Sequence, residues 1–296
     1  MKERLLELHE QIAKVLSYEL FFIAGAPKSG TTWVQRLLDA HPEIVCSGEG
    51  HFADKLAEPL AKVFKGYNEH QNLVSDRVYE KKPYYNGLSP EHFDFTVLSL
   101  MSLVMNQRQI DANVKCIGDK TPRYTFYLEY LGNLLPKAKF IHIIRDGRDV
   151  VVSVCHHAYR AGDKEALQID SPKFHQYTAN FAKTWAENVQ AARNFGKMEP
   201  NRYLEIRYED LHQNGETAIA KLLNFLEVST TPELIFACQE AAEFQKWSGG
   251  REKGQEKKTS FFRKGVVGDW KNYFNDSSLK IFQQYSGNLL AELGYE

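Results

Sequence analysis

A glycine-bracketed loop between an apolar run and a helical pattern constrains this chain more than any other feature. Residues 20–24 (LFFIA) have the length and composition of a buried strand, GAPKSGTT follows at 25–32, and a helical pattern opens at Thr32 and ends near His41 and Pro42. Strand, loop, helix is the arrangement in which backbone N–H groups and the positive end of the helix dipole hold a phosphate. Gly25 and Gly30 permit the tight turn that this requires. The same residues also fit an ordinary Gly/Pro strand-to-helix turn.

The rest of the chain repeats the rhythm. Apolar runs at 44–46, 114–117, 139–144 and 203–206 alternate with longer amphipathic segments, so about five strands are expected. The expected fold is α/β, a P-loop-like three-layer arrangement with a parallel sheet flanked by helices. With 296 residues, 43% of them hydrophobic, a single domain over 1–296 is expected. Residues 65–90 turn polar and rich in Tyr, Asn and Lys, and read as a substrate-side loop or insertion. Residues 247–268 are basic and glycine-rich, and read as a segment without regular structure until something anionic binds it.

Charge and cysteine usage narrow the class. Lysine and arginine number 37 against 38 aspartates and glutamates, a formal net charge of −1, so no global field recruits nucleic acid or a membrane surface. Any anion site must be local. Cys46, Cys116, Cys155 and Cys238 lie far apart in or beside apolar runs, without metal-type spacing, and read as reduced core thiols. The first twenty residues interleave charges with Leu, Ile and Val, which is neither a secretory leader nor a membrane span. A cytoplasmic protein is expected.

The phosphate loop departs from the nucleoside-triphosphate type. It keeps the GxxxxG spacing, yet Thr31 stands where that motif has its lysine, and the lysine comes earlier, as Lys28. There it sits inside the loop, near a single 5′-phosphate. PKSGTTW at 27–33 resembles the 5′-phosphosulfate loop of the sulfotransferases that use 3′-phosphoadenosine 5′-phosphosulfate (PAPS). FIHIIRDGRDVVVS at 140–153 resembles that family's strand, loop and helix at the 3′-phosphate, and FRKGVVGDWKN at 262–272 resembles the C-terminal segment of its cytosolic branch.

The resemblance implies transfer of a sulfuryl group to an acceptor hydroxyl, without a metal. It implies that Lys28, Ser29, Gly30, Thr31 and Thr32 hold the 5′ end, and that Trp33, Tyr208 and Phe244 contact adenine. Arg145, Ser153 and the segment Phe262, Arg263, Lys264 and Gly265 would hold the 3′-phosphate, where arginine's fixed fork suits the charge. Ala242 and Glu243 stand where cytosolic members often carry hydroxyls. Lys28 is the natural cation for the leaving oxygens, with Lys120 second, in a KTPxY segment like that of the glycan sulfotransferases.

The general base implied by the resemblance is Glu49, in an E-x-HF pattern of the glycan members, with His51 as fallback. His156 and His157 are adjacent, face different ways on a helix and do not suggest a metal pair, while Trp185 reads as core. A phosphate-loop small-molecule kinase and a catalytically inactive nucleotide-binding module remain as alternatives. The acceptor stays open among a glycan or glycolipid, a small alcohol or phenol, and a carrier-bound β-hydroxyacyl chain. No copy of the cytosolic branch's dimer motif follows Asn272, and oligomeric state is open.

Overall fold

The computed structural model describes residues 2–295 apart from 80, 83, 258–259 and 261–262. Five parallel strands, β1 (Glu19–Ala24), β2 (Ile44–Gly48), β3 (Cys116–Lys120), β4 (Lys139–Ile144) and β5 (Tyr203–Arg207), form one sheet in the order β2-β3-β1-β4-β5. All of β3, and all of β1 and β4 beyond their first residues, are buried, because helices cover both faces. That double burial is why these strands read as continuous apolar runs.

The helices before β3 are α1 (Lys2–Leu16), α2 (Thr31–Asp39), α3 (Glu58–Val78) and α4 (Pro90–Met105). Next come α5 (Leu128–Leu134), α6 (Gly147–Arg160) and α7 (Pro172–Met198), and after β5, α8 (Tyr208–Gln213), α9 (Gly215–Phe225), α10 (Pro232–Ala241), α11 (Phe244–Ser248) and α12 (Asp276–Ser286). Ser89-Pro90, Ser171-Pro172 and Thr231-Pro232 each start a helix in the same way. The hydroxyl accepts an N–H of the first turn and the proline fills a position with no N–H to satisfy.

Strand side chains alternate between two cores. Phe21, Ile23, Ile141 and Ile143 pack with Val34, Leu37 and Leu38 of α2 and Ile219, Leu222 and Leu223 of α9. Leu20, Phe22, Ala24 and Phe140 pack with Met101 and Met105 of α4, Leu128 and Leu131 of α5, and Phe195 of α7. A third core joins Val151 and Cys155 of α6, Phe174 and Trp185 of α7 and Phe282 of α12. Trp185 is core as read from sequence, and its indole N–H also donates to the Arg145 carbonyl at 3.0 Å.

Three sequence expectations need correction. The segment expected as a loop from residue 65 is helical to Val78; α3 is mostly exposed, and Asn68, Gln71 and Ser75 stand on its less exposed face, so no unbroken apolar stripe is left to read. Only residues 79–89 lie between helices, tied by Asn68, which donates to the Leu88 carbonyl and accepts its N–H. The third strand, expected at 114–117, runs over Cys116–Lys120, so Lys120 is a buried strand residue. Trp247 and Ser248, expected in the irregular segment, end the short helix α11. Among the described residues no helix is long and apolar enough to cross a membrane.

Candidate active site

β1 has β3 on one side and β4 on the other, where the strand order reverses, and a crevice opens there at the carboxyl ends. Residues 25–30 begin at its floor. Lys28 (φ 73°) and Gly30 (φ 99°) are both left-handed, a backbone form that turns successive N–H groups toward one point. Gly30 has no alternative, because a Cβ there would lie 2.6 Å from the Tyr208 ring. A Cβ on Gly25 would meet the Ile143 carbonyl oxygen at 2.6 Å. The loop is thus packed to backbone distance against β4 and α8.

The cavity above it measures about 1010 Å³, at the upper end of ligand pockets and large enough for a nucleotide with a guest beside it. Lys28, Gly30, Thr31, Thr32, Trp33, Glu49, Arg145, Ser153, Tyr208, Phe244, Arg263, Lys264 and Gly265 line it, with Ala242 and Glu243 beside Phe244. Residues spread over most of the chain therefore converge. Ser29, Lys120 and His51 are not part of its wall, and Phe262 lies outside the described residues.

Arg145 leaves the end of β4 and is buried, its guanidinium 4.4 Å from the Tyr208 ring centroid. It donates to the Val266 carbonyl at 3.2 Å and to Asp149 at 3.4 Å. The sequence reading missed Asp149. This buried carboxylate accepts N–H groups of Gly268 and Trp270, both at 2.8 Å, and so clamps the C-terminal segment onto α6. Arg263 donates to Glu256 at 2.6 Å and to Asp269, and Lys264 donates to Asp269 at 2.6 Å. Burial alone would raise the Asp269 carboxyl, but the hydrogen bonds from Lys264 and Arg263 hold it at about 2.

At the other end of the cavity, Glu49 follows β2. Its carboxylate is gripped on one oxygen by the Lys120 ammonium and on the other by His51 Nε2 at 3.2 Å. His51 Nδ1 lies 2.9 Å from Oδ1 of Asp54, a buried acid that the sequence reading also passed over. An imidazole with a carboxylate at each nitrogen holds its ring fixed and can move a proton between them. Asp119, Thr121 and Tyr124 support the turn, accepting from the N–H groups of Gly50, His51 and Phe52 respectively.

Lys28 lines the same cavity as this carboxylate. Burial and the nearby Arg160 lower its ammonium to about 8, with Glu49 pulling in the opposite direction. Buried polar atoms without a hydrogen-bond partner among the described residues include Arg145 Nε and His212 Nε2, whose residues line the cavity, and Ser29 Oγ in the phosphate loop beneath it. Polar groups left unmet beside a cation-lined cavity fit a bound anion.

Backbone and arginine donors around a nucleotide-sized crevice, with a carboxylate next to the loop lysine, define a nucleotide-dependent group-transfer enzyme. Residues 21–232 match the family model described as "Sulfotransferase family", so the chain belongs to the PAPS-dependent sulfotransferase family and is a sulfotransferase. It is 26% identical to the protein-tyrosine sulfotransferase of Drosophila melanogaster over 219 residues, 73% of this chain but only 40% of that protein. It is also 26% identical to Sulfotransferase 1E1 of Mus musculus over 285 residues, 89% of this chain and 80% of that one. The crystal structure of mouse sulfotransferase SULT7A1 complexed with PAP shares the fold, with a TM-score of 0.57 at 18% identity, covering 95% of this chain and 89% of that chain. Family membership sets aside the kinase reading of the loop.

Proposed function

We propose that this enzyme takes its sulfuryl group from PAPS and that Glu49 removes the proton of the attacking acceptor hydroxyl while Lys28 neutralises charge on the leaving phosphate. The observation that carries this reading is that Lys28 and Glu49 line one cavity together with Arg145, Ser153 and the Arg263–Gly265 segment. Thr31, Thr32 and the loop N–H groups hold the 5′-phosphate. Arg145, Ser153 and Arg263 hold the 3′-phosphate, and Trp33, Tyr208 and Phe244 flank adenine.

Transfer is in line. The acceptor oxygen loses its proton to Glu49 as the new S–O bond forms, and the bridging bond to the 5′-phosphate breaks with its electron pair on that phosphate. Lys28 supplies the cation at that oxygen, as side chains must where no metal does so. Lys120 holds and aims the Glu49 carboxylate, and His51 with Asp54 fixes its second oxygen. The acceptor is a hydroxyl compound, among a glycan or glycolipid, a small alcohol or phenol, and a carrier-bound β-hydroxyacyl chain. The four buried free cysteines suit a reducing, cytoplasmic setting, and the chain works as one domain.

Calorimetry with PAP and with Mg²⁺-ATP, followed by labelled PAPS against acceptors of each class, tests the reading. PAP should bind tightly without metal, and one class should gain the label. Metal-dependent ATP binding with no PAP binding would defeat it.

A further inference from the structure

Two helices each present a pair of residues three apart to the same cavity. Helix α2 presents Trp33 and Arg36, the five-residue helix α11 presents Phe244 and Trp247, and all four line the cavity. Residues at that spacing share one face of a helix, so each pair turns toward the same space. The first member of each pair, Trp33 and Phe244, flanks adenine in the reading above. The second members meet: the Arg36 guanidinium carbon lies 3.5 Å from the centre of the Trp247 ring. No step of the proposed transfer uses that stack.

Helix α11 depends on side-chain contacts for its place, because a helix of one turn has no stability of its own in water. The Glu243 side chain at its start caps no N–H. It ends at Gly249 and Gly250, both left-handed (φ 77° and 84°), where the irregular segment begins. Gly265 of that segment lies so close to Phe244 that a Cβ would come within 2.6 Å of the ring. The Trp247 indole N–H donates to the Ala241 carbonyl at 2.8 Å, and its face takes the Arg36 guanidinium. Trp247 is still 45% exposed, so burial of its surface does not by itself account for a tryptophan there. An arginine stacked on an aromatic ring at a surface is usually a small stability increment and nothing more. Here the stack joins the helix that follows the phosphate loop to the helix that carries Phe244.

We infer that Arg36 and Trp247 are a positioning pair for the donor: their stack ties α11 to α2, keeps Phe244 and Trp33 on the adenine, and thereby slows departure of the nucleotide. This rests on the donor and adenine contacts proposed above and adds the residues that hold the base site together. Neither side chain has to touch the reacting atoms. Changes at a binding wall act chiefly on the dissociation rate, so loosening the pair speeds release and leaves association nearly as it was. Release of the spent nucleotide often limits turnover in group-transfer enzymes, so the pair also bears on how fast this one cycles.

The test loads the whole chain with radiolabelled PAP and follows its release into excess unlabelled PAP, with association measured separately by stopped flow. Arg36→Met and Trp247→Leu should each speed release about three- to tenfold, the scale of one partly shielded cation–π contact, with association within about twofold of the parent. The double variant should release PAP no faster than the faster single one, because the two side chains act as one contact. Arg36→Lys, which keeps a cation for the ring, should fall between the parent and Arg36→Met. Melting temperatures are read alongside, and Arg36→Gln or Trp247→Phe replaces any variant that does not fold. Unchanged release in folded variants overturns the inference, whatever happens to the melting temperature. So do effects of the two substitutions that multiply, or an effect confined to one position; at Arg36 alone it would put that side chain on the nucleotide itself. Failure of the unmodified chain to bind PAP would instead strike the donor assignment.

Discussion

The phosphate loop and the C-terminal basic segment face each other across one cavity but are held in different ways. The loop is set by main chain: left-handed Lys28 and Gly30, a glycine pressed against Tyr208, and strand neighbours on both sides. The described residues from 249 to 268 belong to no helix or strand, and their cations are occupied by carboxylates of the chain itself, Arg263 by Glu256 and Asp269, Lys264 by Asp269. A donor set built from backbone is ready before the ligand arrives. One built from ion pairs must share or exchange partners, and so is more sensitive to salt and to nearby acids.

The largest expected effect separates chemistry from either wall. Glu49→Gln should lower turnover by about 10²–10⁴-fold, the range of general-base catalysis, while calorimetry finds PAP affinity within about twofold of the parent. Activity within tenfold would move the base to His51. Next, Arg145→Ala should weaken PAP binding by about 1.5–3 kcal/mol, because Arg145 stands in the cavity wall just past the end of β4 and offers a fixed cationic donor there. An unchanged dissociation constant would remove it from the site.

Smaller effects sharpen the contrast. Lys28 titrates at about 8 in the free chain, and its charged form favours a phosphate. PAP affinity should therefore hold below pH 8 and fall as pH rises through it, whereas Lys28→Met should bind more weakly and show no such fall. The smallest change is on the segment. Glu256→Gln should tighten PAP binding by about two- to fivefold at low salt, since it frees Arg263 from a partly exposed competitor, and the gain should vanish at high salt. Weaker binding would show that Glu256 positions Arg263 instead of competing for it.

What was readable in the chain follows the same division. Buried parallel strands leave unbroken apolar runs, and a backbone phosphate site demands glycines at set places, so β1, β4 and residues 25–32 were visible as letters. Helix α3 was not, because an exposed helix needs no apolar stripe. Asp149 and Asp54 were hidden for another reason: an acid that faces inward to bind N–H groups or an imidazole has the same letter as one that faces water. The signal available for Asp149 was its place four residues after Arg145 on a helix, and for Asp54 its place three after His51. Lys120 was read as a second cation for the leaving oxygens, and the letters alone did not show that it is buried with its ammonium on the Glu49 carboxylate.

Lys28, Glu49 and His51 are three of the six non-glycine residues with positive φ among the described residues. Each such conformation costs about 1–3 kcal/mol relative to an ordinary one, a cost borne where the reaction is run. Selection for heat resistance alone should therefore collect glycine at positions 28, 49 and 51 and yield durable proteins that no longer turn over. Durability and catalysis pull against each other at those three points of the chain.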